Sequence, residues 1–269
     1  MSILMWVTDM AVVLIILIIL ALWLFLILPG HRNIPRVFKR DFAHRGLHDN
    51  KTIPENSLAA FGLAAQKGYA IELDVQLSKD GEVYVFHDYS LERMTGCKSK
   101  LSELDSYELD KLRLLGTDER LPRFNEVLQL VDGRVPILVE LKGESLDQSL
   151  CPKTDEILSS YSGEYLVESF NPILLSWYKK HRPEVIRGQL YTNVVKSKGF
   201  SPLNLLLTGM LFNFLVRPDF VAYDKVRPNS LPVALTRLFG AGQYVWTIKT
   251  PEEYAKKGKA FAIFDGFEP

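Results

Sequence analysis

The chain has few cysteines, no net charge and no glycine-rich nucleotide-binding loop. Its two cysteines, Cys97 and Cys151, fit neither a metal-binding nor a redox spacing and do not suggest a secreted disulfide framework. The 32 basic and 32 acidic residues balance, which gives no support for nucleic acid as a partner. The sequence lacks a Gly-x-Gly-x-x-Gly or Walker-type loop and a repeat of fixed period, which argues against nucleotide-binding folds and repeat proteins. The 269 residues, 47% hydrophobic and 24% charged, instead have the composition of a globular protein.

The longest apolar run lies near the start of the chain. Met10 to Leu28 is nineteen residues long and contains neither a charge nor a strongly polar side chain. At about 1.5 Å per residue, a helix of this length matches the hydrocarbon core of a bilayer. We therefore expect residues 1–30 to form a transmembrane anchor that meets lipid along residues 3–28. A cleaved signal peptide is the alternative, although its usual basic start, shorter apolar core and small-residue cleavage site are missing.

Basic residues follow the apolar run, and none precedes it. They lie within residues 31–40, which have the composition of a basic juxtamembrane linker, and they are Arg32, Arg36, Lys39 and Arg40. The positive-inside rule then predicts that the C-terminal domain, residues 41–269, lies on the cytoplasmic side of a cell membrane. No pattern in the sequence indicates an oligomeric state.

From Asp41 onward, short β-branched or apolar runs alternate with helical stretches. This alternation predicts a mostly parallel sheet with helices outside it. Eight or nine strands in this length favour a closed α/β structure, the (β/α)8 TIM barrel, over a doubly wound sheet, which is the alternative. Residues 77–82 are too short for a crossover helix, so we expect an extended return with a turn at Asp80 and Gly81.

Three further segments carry specific expectations. Residues 57–67 are expected to form a helix with Asn56 as its N-cap, and residues 101–114 another helix. Residues 203–216, LNLLLTGMLFNFLV, are almost free of charge and too short to span a bilayer. This last segment is interpreted either as a packed barrel helix or insertion, or as an apolar lip that faces the membrane.

Titratable side chains lie at the ends of the predicted strands between residues 42 and 142. The carboxyl ends of barrel strands meet at one face, where catalytic groups gather. Each Glu-x-Asp or His-Asp pair alone is more often surface charge or a turn, so the ordered set is the specific feature. Its members are His44, Glu72, Asp74, His87, Glu140 and Lys142.

Glu72, Asp74 and Glu140 are the candidate metal ligands. Glu72 and Asp74 lie two residues apart on one strand, so both point to the same face. Three carboxylates without cysteine suit one hard divalent cation, Mg²⁺ or Ca²⁺, rather than zinc. Without a cation, carboxylates gathered in a barrel mouth would repel one another.

The remaining candidates suit proton transfer and phosphate binding. His44 and His87 are suited to acid–base catalysis near neutral pH, one taking a proton from the attacking oxygen and the other giving one to the leaving alkoxide. Arg45 and Lys142 supply fixed positive charge for the non-bridging phosphate oxygens. Glu55 has two interpretations, a helix-start carboxylate favoured by the helix dipole or an accessory group of the site.

At these residues the sequence resembles the glycerophosphodiester phosphodiesterase family, over essentially all of residues 41–269. The resemblance implies a TIM barrel and a divalent cation, with His44 and His87 as the acid–base pair. It also implies Glu72, Asp74 and Glu140 as metal ligands, Arg45 and Lys142 as phosphate contacts, and Glu55 and Trp246 as accessory candidates. The motifs that carry it are His44-Arg45-Gly46, Pro54-Glu55-Asn56-Ser57, Phe61, Glu72-Leu73-Asp74-Val75, Lys79-Asp80-Gly81, His87-Asp88, Glu140-Leu141-Lys142, Glu168-Ser169-Phe170 and Val245-Trp246-Thr247.

The implied reaction is hydrolysis of a glycerophosphodiester to an alcohol and sn-glycerol 3-phosphate, with attack by the neighbouring glycerol hydroxyl and a cyclic intermediate. The chain departs from many relatives at its last strand, residues 260–269, and in the anchor and residues 203–216. The alternative is a lysophospholipase D-like activity on single-chain membrane lysophospholipids, which residues 203–216 favour. A third hypothesis, a non-catalytic membrane-binding protein, is disfavoured because every expected catalytic residue type is present.

Overall fold

The chain begins with a long exposed helix. The computed structural model describes residues 3–30 and 32–269, and its first element is α1 (Ile3–Ile27). Within α1, Asp9–Ile27 is long and apolar enough to cross a membrane, and its apolar side chains are largely exposed. Such a helix fits a membrane anchor or a signal sequence. Residue 31, the first of the predicted linker, lies outside the described part of the chain.

Eight parallel strands close into a barrel. The strands in the described residues are β1 (Phe42–His44), β2 (Ala70–Leu77), β3 (Val83–Val85), β4 (Ile137–Leu141), β5 (Tyr165–Ser169), β6 (Arg187–Tyr191), β7 (Phe220–Asp224), β8 (Gly242–Ile248) and β9 (Phe261–Phe264). β1 pairs in parallel with both β2 and β9, which closes the sheet, and β3 returns antiparallel along β2. The predicted (β/α)8 barrel is therefore confirmed, and β3 is the expected extended return.

Helices surround the strands. They are α2 (Leu58–Gln66), α3 (Glu92–Thr95), α4 (Ser106–Leu109), α5 (Phe124–Val131), α6 (Leu150–Ser159), α7 (Pro172–His181), α8 (Val194–Lys198), α9 (Pro202–Thr208), α10 (Asn213–Val216), α11 (Leu231–Leu238) and α12 (Pro251–Ala255). The expected single helix over residues 101–114 is wrong, because a short 3₁₀ turn (Leu101–Glu103) ends before α4. Asp80 fixes the start of α4 by accepting hydrogen bonds from the backbone N–H and the hydroxyl of Ser106, at 3.0 and 2.6 Å.

Residues 32–40 fill the amino-terminal end of the barrel. Ile34 and Phe38 are 6% and 3% exposed and pack against apolar side chains inside the strands. The Tyr244 hydroxyl donates a hydrogen bond to the Phe38 carbonyl at 2.5 Å. Gly242 leaves room for this packing, since a Cβ there would lie 1.9 Å from Ile34 Cδ1. Apolar side chains therefore occupy this end, and the carboxyl end of the barrel is left for polar groups.

The end of α1 is fastened to the barrel at α10. The Asn213 side-chain amide donates to the Ile27 carbonyl at 2.9 Å. The Arg217 guanidinium donates to the carbonyls of Phe25 and Leu28, each at 2.9 Å. Ile27 is fully buried in this contact. Direct hydrogen bonds thus join the apolar helix to the segment that connects β6 to β7.

Candidate active site

Three carboxylates meet at the carboxyl end of the barrel. Glu72 and Asp74 lie on β2, and Glu140 lies on β4, where it pairs in register with Asp74. One oxygen of each side chain lies within 4.8 Å of the others, and all three residues are buried. The structure therefore brings the three predicted metal ligands together, because parallel neighbouring strands end at the same face.

Two cationic side chains and one amide contact this carboxylate cluster. Lys142 Nζ lies 3.0 Å from Glu140 Oε1 and 3.5 Å from Asp74 Oδ1. Arg45 Nε lies 3.5 Å from Asp74 Oδ2, and Asn56 Nδ2 donates to the same oxygen at 2.9 Å. The two predicted phosphate contacts thus lie against the carboxylates, where their charge can also reach an incoming anion.

The loop after β1 turns sharply towards the carboxylate cluster. Arg45 and Gly46 both have positive φ, 58° and 82°. A Cβ at Gly46 would lie 2.8 Å from the Ala60 backbone carbon, so the close approach to α2 requires glycine. The turn directs the Arg45 backbone N–H at Glu72 Oε2, with a hydrogen bond of 2.9 Å. The His-Arg-Gly motif is therefore explained by backbone geometry as well as by side-chain chemistry.

Asn56 is a site residue that the sequence analysis misassigned. Its φ of 54° turns the side chain to Asp74 and away from the start of α2. The expected N-cap role is wrong, because the Ser57 hydroxyl caps α2 by accepting from the Ala60 N–H at 3.1 Å. A left-handed backbone at an asparagine is the feature that decides between the two roles, and sequence periodicity does not reveal it.

Burial and mutual repulsion set the charge of the carboxylates. Burial, followed by repulsion from Asp74, raises the pKa of Glu72 well above its ordinary value. Burial raises the pKa of Glu140 to about 7, although Lys142 opposes the rise. Burial also disfavours the charged form of Asp74, but Lys142 and His87 hold the pKa of this carboxyl well below its usual range.

These donors fit a hard divalent cation. Each of the three residues offers a carboxylate oxygen, the ligand type that both Mg²⁺ and Ca²⁺ prefer. A bound cation would also offset the burial and repulsion that raise the pKa values of Glu72 and Glu140, because a nearby opposite charge favours the ionised form. The carboxylate ligands and the raised pKa values of Glu72 and Glu140 therefore both indicate a hard divalent cation.

The two predicted catalytic histidines lie next to the cluster. His44 ends β1, with its Nδ1 4.0 Å from Asp265 Oδ2. Burial, with a contribution from Arg45, lowers the pKa of His44 well below its ordinary value. Burial also lowers the pKa of His87, which follows β3. The negative charge of Asp74 opposes this decrease, because it favours the protonated form of both rings.

Asp88 and Arg93 hold the ring of His87. Asp88 Oδ1 lies 2.6 Å from His87 Nδ1, and Arg93 Nε donates to Asp88 Oδ2 at 2.5 Å. A carboxylate at Nδ1 favours the tautomer that carries its proton there, which leaves Nε2 free for proton transfer. Arg93 is a residue that the sequence analysis missed, since its only sign is an arginine five positions after the His-Asp pair.

Glu55 joins two arginines of the site. Its Oε1 accepts hydrogen bonds from Arg45 Nη1 at 2.7 Å and from Arg93 Nη2 at 2.6 Å. Asn50 Nδ2 donates to Oε2 at 2.8 Å. Burial disfavours the charged form, but hydrogen bonds from Arg93 and the charge of Arg45 hold the pKa of Glu55 well below its usual range. These contacts place Glu55 between the two cationic side chains, so it can orient Arg45.

Glu168 is a further buried carboxyl beside the cluster. It lies on β5 in register with Glu140 and is 1% exposed. Among the described residues, no hydrogen-bond partner meets its Oε2. Burial, followed by repulsion from Glu72 and Glu140, raises the pKa of Glu168 well above its ordinary value. Sequence reasoning could have placed Glu168 at the site, because its position on β5 matches that of Glu140 on the neighbouring strand β4.

Trp246 lies on β8, which is separated from β2 by β1 and β9 in the barrel. Its indole N–H donates to the Ala222 carbonyl at 2.9 Å. The ring packs edge-on against Phe170, with centroids 5.6 Å apart. Trp246 is therefore held against β7 and against Phe170, which follows β5.

The sequence is similar to that of known hydrolytic enzymes. Residues 44–261 match the glycerophosphoryl diester phosphodiesterase family. A glycerophosphodiester phosphodiesterase of Bacillus altitudinis is 31% identical over 229 residues, which cover 74% of this chain and 92% of that one. A glycerophosphodiester phosphodiesterase of Caldanaerobacter subterraneus subsp. tengcongensis is 35% identical over 162 residues, 55% of this chain and 65% of that one. The chain belongs to the glycerophosphoryl diester phosphodiesterase family.

The solved structures agree on the fold. An Oleispira antarctica phosphodiesterase, determined in complex with the product sn-glycerol-3-phosphate, superposes with a TM-score of 0.69 at 24% identity. The match covers 84% of this chain and 92% of that protein. The barrel of this chain is thus the one that this enzyme also uses, while α1 precedes the part of the chain that the family match covers.

Proposed function

We propose that the chain is a metal-dependent phosphodiesterase that hydrolyses glycerophosphodiesters to an alcohol and sn-glycerol 3-phosphate. The observation that carries this proposal is the meeting of three buried carboxylates with two histidines at one end of the barrel. The names of the bacterial relatives and the product bound to the Oleispira antarctica enzyme support the same substrate class.

Glu72, Asp74 and Glu140 would hold one divalent cation, either Mg²⁺ or Ca²⁺. When bound, such an ion polarises the phosphoryl group and stabilises negative charge on its oxygens. Arg45 and Lys142 lie against the same carboxylates, so their positive charges orient the non-bridging oxygens of the phosphodiester. Glu55 keeps the Arg45 guanidinium in place through a hydrogen bond of 2.7 Å.

His44 and His87 form the acid–base pair in this proposal. One ring takes the proton of the glycerol hydroxyl next to the phosphate, and that oxygen attacks phosphorus. The other ring protonates the departing alcohol oxygen, which leaves a cyclic phosphodiester. Water then opens the ring with the same two groups in reversed roles, giving sn-glycerol 3-phosphate. The Asp88 carboxylate, 2.6 Å from His87 Nδ1, keeps the other nitrogen of that ring available.

A substrate pair tests this function. We expect the purified chain with Mg²⁺ or Ca²⁺ to release choline and sn-glycerol 3-phosphate from glycerophosphocholine in equal amounts. An analogue that lacks the glycerol hydroxyl next to the phosphate should not react, because the attacking oxygen is missing. Absence of both products from glycerophosphocholine and from a panel of other glycerophosphodiesters would contradict the proposed activity. Equal turnover of the analogue would contradict the cyclic route alone.

We further propose that α1 anchors the enzyme in the cell membrane with the barrel on the cytoplasmic side. Support comes from the length and apolar surface of α1 and from the basic residues that follow it. The chain should remain in the membrane fraction after alkaline extraction. Cys97, which is partly exposed, should resist a membrane-impermeant maleimide in intact cells and react after lysis. Labelling of Cys97 in intact cells would contradict this orientation.

A further inference from the structure

We propose that Asp265 is the positioning residue of His44, and that its carboxylate closes onto the Nδ1 atom of that ring when substrate binds. In this structure Asp265 Oδ2 lies 4.0 Å from His44 Nδ1, just beyond the length of a hydrogen bond. The inference rests on the proposed phosphodiesterase function. It adds a residue that controls one of the two groups that transfer protons.

Strand register brings the two residues together. β1 and β9 are parallel neighbours in the barrel, with Ala43 opposite Phe264. The next residue along the first strand is His44, and the next residue after the second strand is Asp265. Both therefore lie side by side at the carboxyl end of the barrel, where catalytic groups gather. The backbone of the fold, and not only one side-chain rotamer, sets this juxtaposition.

The ring of His44 has an unsatisfied nitrogen. Its side chain is 17% exposed, and its Nδ1 has no hydrogen-bond partner among the residues that the structure describes. Buried polar atoms without a partner are rare in folded proteins. Catalytic hydrogen bonds are often long before substrate binds and shorten in the complex. The distance to Asp265 is therefore consistent with a contact that forms only during the reaction.

The other proposed catalytic ring shows what such a contact does. Asp88 Oδ1 lies 2.6 Å from His87 Nδ1. A carboxylate at Nδ1 keeps a proton on that nitrogen, leaves Nε2 for proton transfer and stabilises the ring when it becomes positively charged. His44 needs the same help, because it gains a positive charge in a buried position next to Arg45 whenever it takes a proton. Asp265 is the carboxylate that lies at the equivalent nitrogen of His44.

The backbone of Asp265 is fixed, whereas its carboxylate has room to turn. The backbone N–H donates to the Ile248 carbonyl at 2.9 Å. Lys249 Nζ lies 3.3 Å from Oδ2, but the lysine side chain is 60% exposed, and exposed ion pairs are weak. Asp265 also lines a cavity of about 340 Å³. A movement of about 1 Å, which a hydrogen bond to His44 requires, is therefore open to the carboxylate.

His48 lies at the second oxygen of the same carboxylate. Its Nε2 is 3.3 Å from Asp265 Oδ1, and its side chain is 7% exposed. Neither nitrogen of this ring has a hydrogen-bond partner in the described part of the chain. When the carboxylate closes, Oδ1 can accept a hydrogen bond from His48 while Oδ2 accepts one from His44. One carboxylate then satisfies two buried rings.

A double-mutant cycle tests the positioning role, with the full-length protein in nanodiscs, a divalent cation and glycerophosphocholine as substrate. Asp265→Asn keeps the shape of the side chain and removes its charge. It should lower kcat by about 10–100-fold, the range for loss of a carboxylate that orients a histidine, with little change in KM. In the His44→Ala background the same substitution should have no further effect, because Asp265 acts only through that ring.

Glu268→Gln is the matched control. Glu268 lines the same cavity, but it is 47% exposed and pairs with Lys67. Its substitution should leave kcat unchanged. Equal losses from Asp265→Asn in both backgrounds, or no loss in the wild-type background, would overturn the positioning role, as would near-normal turnover by His44→Ala. If the wild type hydrolyses no glycerophosphodiester, the phosphodiesterase function itself fails.

A structure of the wild type with a divalent cation and sn-glycerol 3-phosphate bound gives a second test that needs no variant. We expect His44 Nδ1 and Asp265 Oδ2 to lie about 2.7–3.2 Å apart in this complex. A distance that stays at 4.0 Å would refute the closure, even if Asp265→Asn does not fold.

Discussion

Replacing either His44 or His87 with alanine is expected to lower kcat for glycerophosphocholine by about 10²–10⁴-fold. The physical reason is the loss of a proton acceptor or donor at an oxygen that must gain or lose a proton as its bond to phosphorus changes. Steady-state release of choline measures the effect, and thermal unfolding shows whether the variants remain folded. Burial of His44 makes its neutral form the prevailing one, so its removal should not leave a buried charge unpaired.

His181→Ala is the matched control for these variants. His181 is an exposed residue at the end of α7, where its Nδ1 contacts the Trp177 carbonyl at 3.0 Å. The change should leave kcat unaltered. Near-normal turnover by either His44→Ala or His87→Ala would refute the acid–base assignment of that residue.

The role of His87 can be tested by the pH dependence of kcat/KM in an Asp88→Asn variant. Burial lowers the pKa of His87, and the Asp88 carboxylate opposes this because it stabilises the protonated ring. Without that charge the pKa of His87 falls further, so the limb of the kcat/KM profile that reports this residue should move to lower pH. A shift of the acidic limb would identify His87 as the base, and a shift of the alkaline limb would identify it as the acid. Unchanged limbs would contradict its participation.

Removal of the divalent cation is the second change with a large expected effect. Chelation by EDTA should stop turnover, because without the cation nothing offsets the negative charge of the phosphate beside the three carboxylates. Added Mg²⁺ or Ca²⁺ should restore turnover. Glu72→Gln should have the same effect on kcat, about 10³-fold or more, since a carboxamide is a poor replacement for a charged metal ligand. Full activity in metal-free buffer would refute the metal requirement.

The stability of Glu72→Gln separates a metal ligand from a structural residue. Burial, and then the neighbouring Asp74, raise the pKa of Glu72 well above its ordinary value, so the metal-free protein favours the neutral carboxyl. Glutamine resembles that neutral form and can still accept the hydrogen bond from the Arg45 N–H. The melting temperature in EDTA should therefore stay close to that of the wild type. Glu164→Gln, at an exposed position on the loop before β5, is the control and should change neither activity nor stability.

The sequence was sufficient to predict the barrel and to propose the carboxylate cluster. Alternating strands and helices indicate the fold, and the Glu72-x-Asp74 spacing puts both side chains on one face of β2. Glu140 could be added because the carboxyl ends of parallel strands converge. Side-chain chemistry suggested the roles of the histidines and of the basic pair, and the resemblance to a known family implied the same roles.

The contacts that orient the site were not predictable in the same way. Asn56 reaches Asp74 because its φ is 54°, and this conformation has no periodic signature in the sequence. Arg93 lies on a four-residue helix, and its contacts with Asp88 and Glu55 depend on how that helix packs. Local patterns report secondary structure, whereas these contacts depend on tertiary packing.

Residues 203–216 show the same distinction. Their composition is compatible both with a packed helix and with a membrane-facing surface. Composition gives the number of apolar side chains but not the direction in which each one points. The structure divides them, with Leu207 and Met210 lining a cavity that Glu140 and Lys142 also line, and with Leu205 largely exposed. Direction of side chains on a short helix depends on its neighbours, which only the fold provides.

Glu72, Asp74 and Glu140 are proposed to bind one divalent cation at the barrel mouth. Isothermal titration calorimetry of the chelated protein with Mg²⁺ and with Ca²⁺ measures this directly. We predict one bound ion per chain in the wild type, and no measurable binding at this site in Glu72→Gln or Asp74→Asn. Absence of binding in the folded wild type, or unchanged stoichiometry and affinity in both variants, would contradict the account.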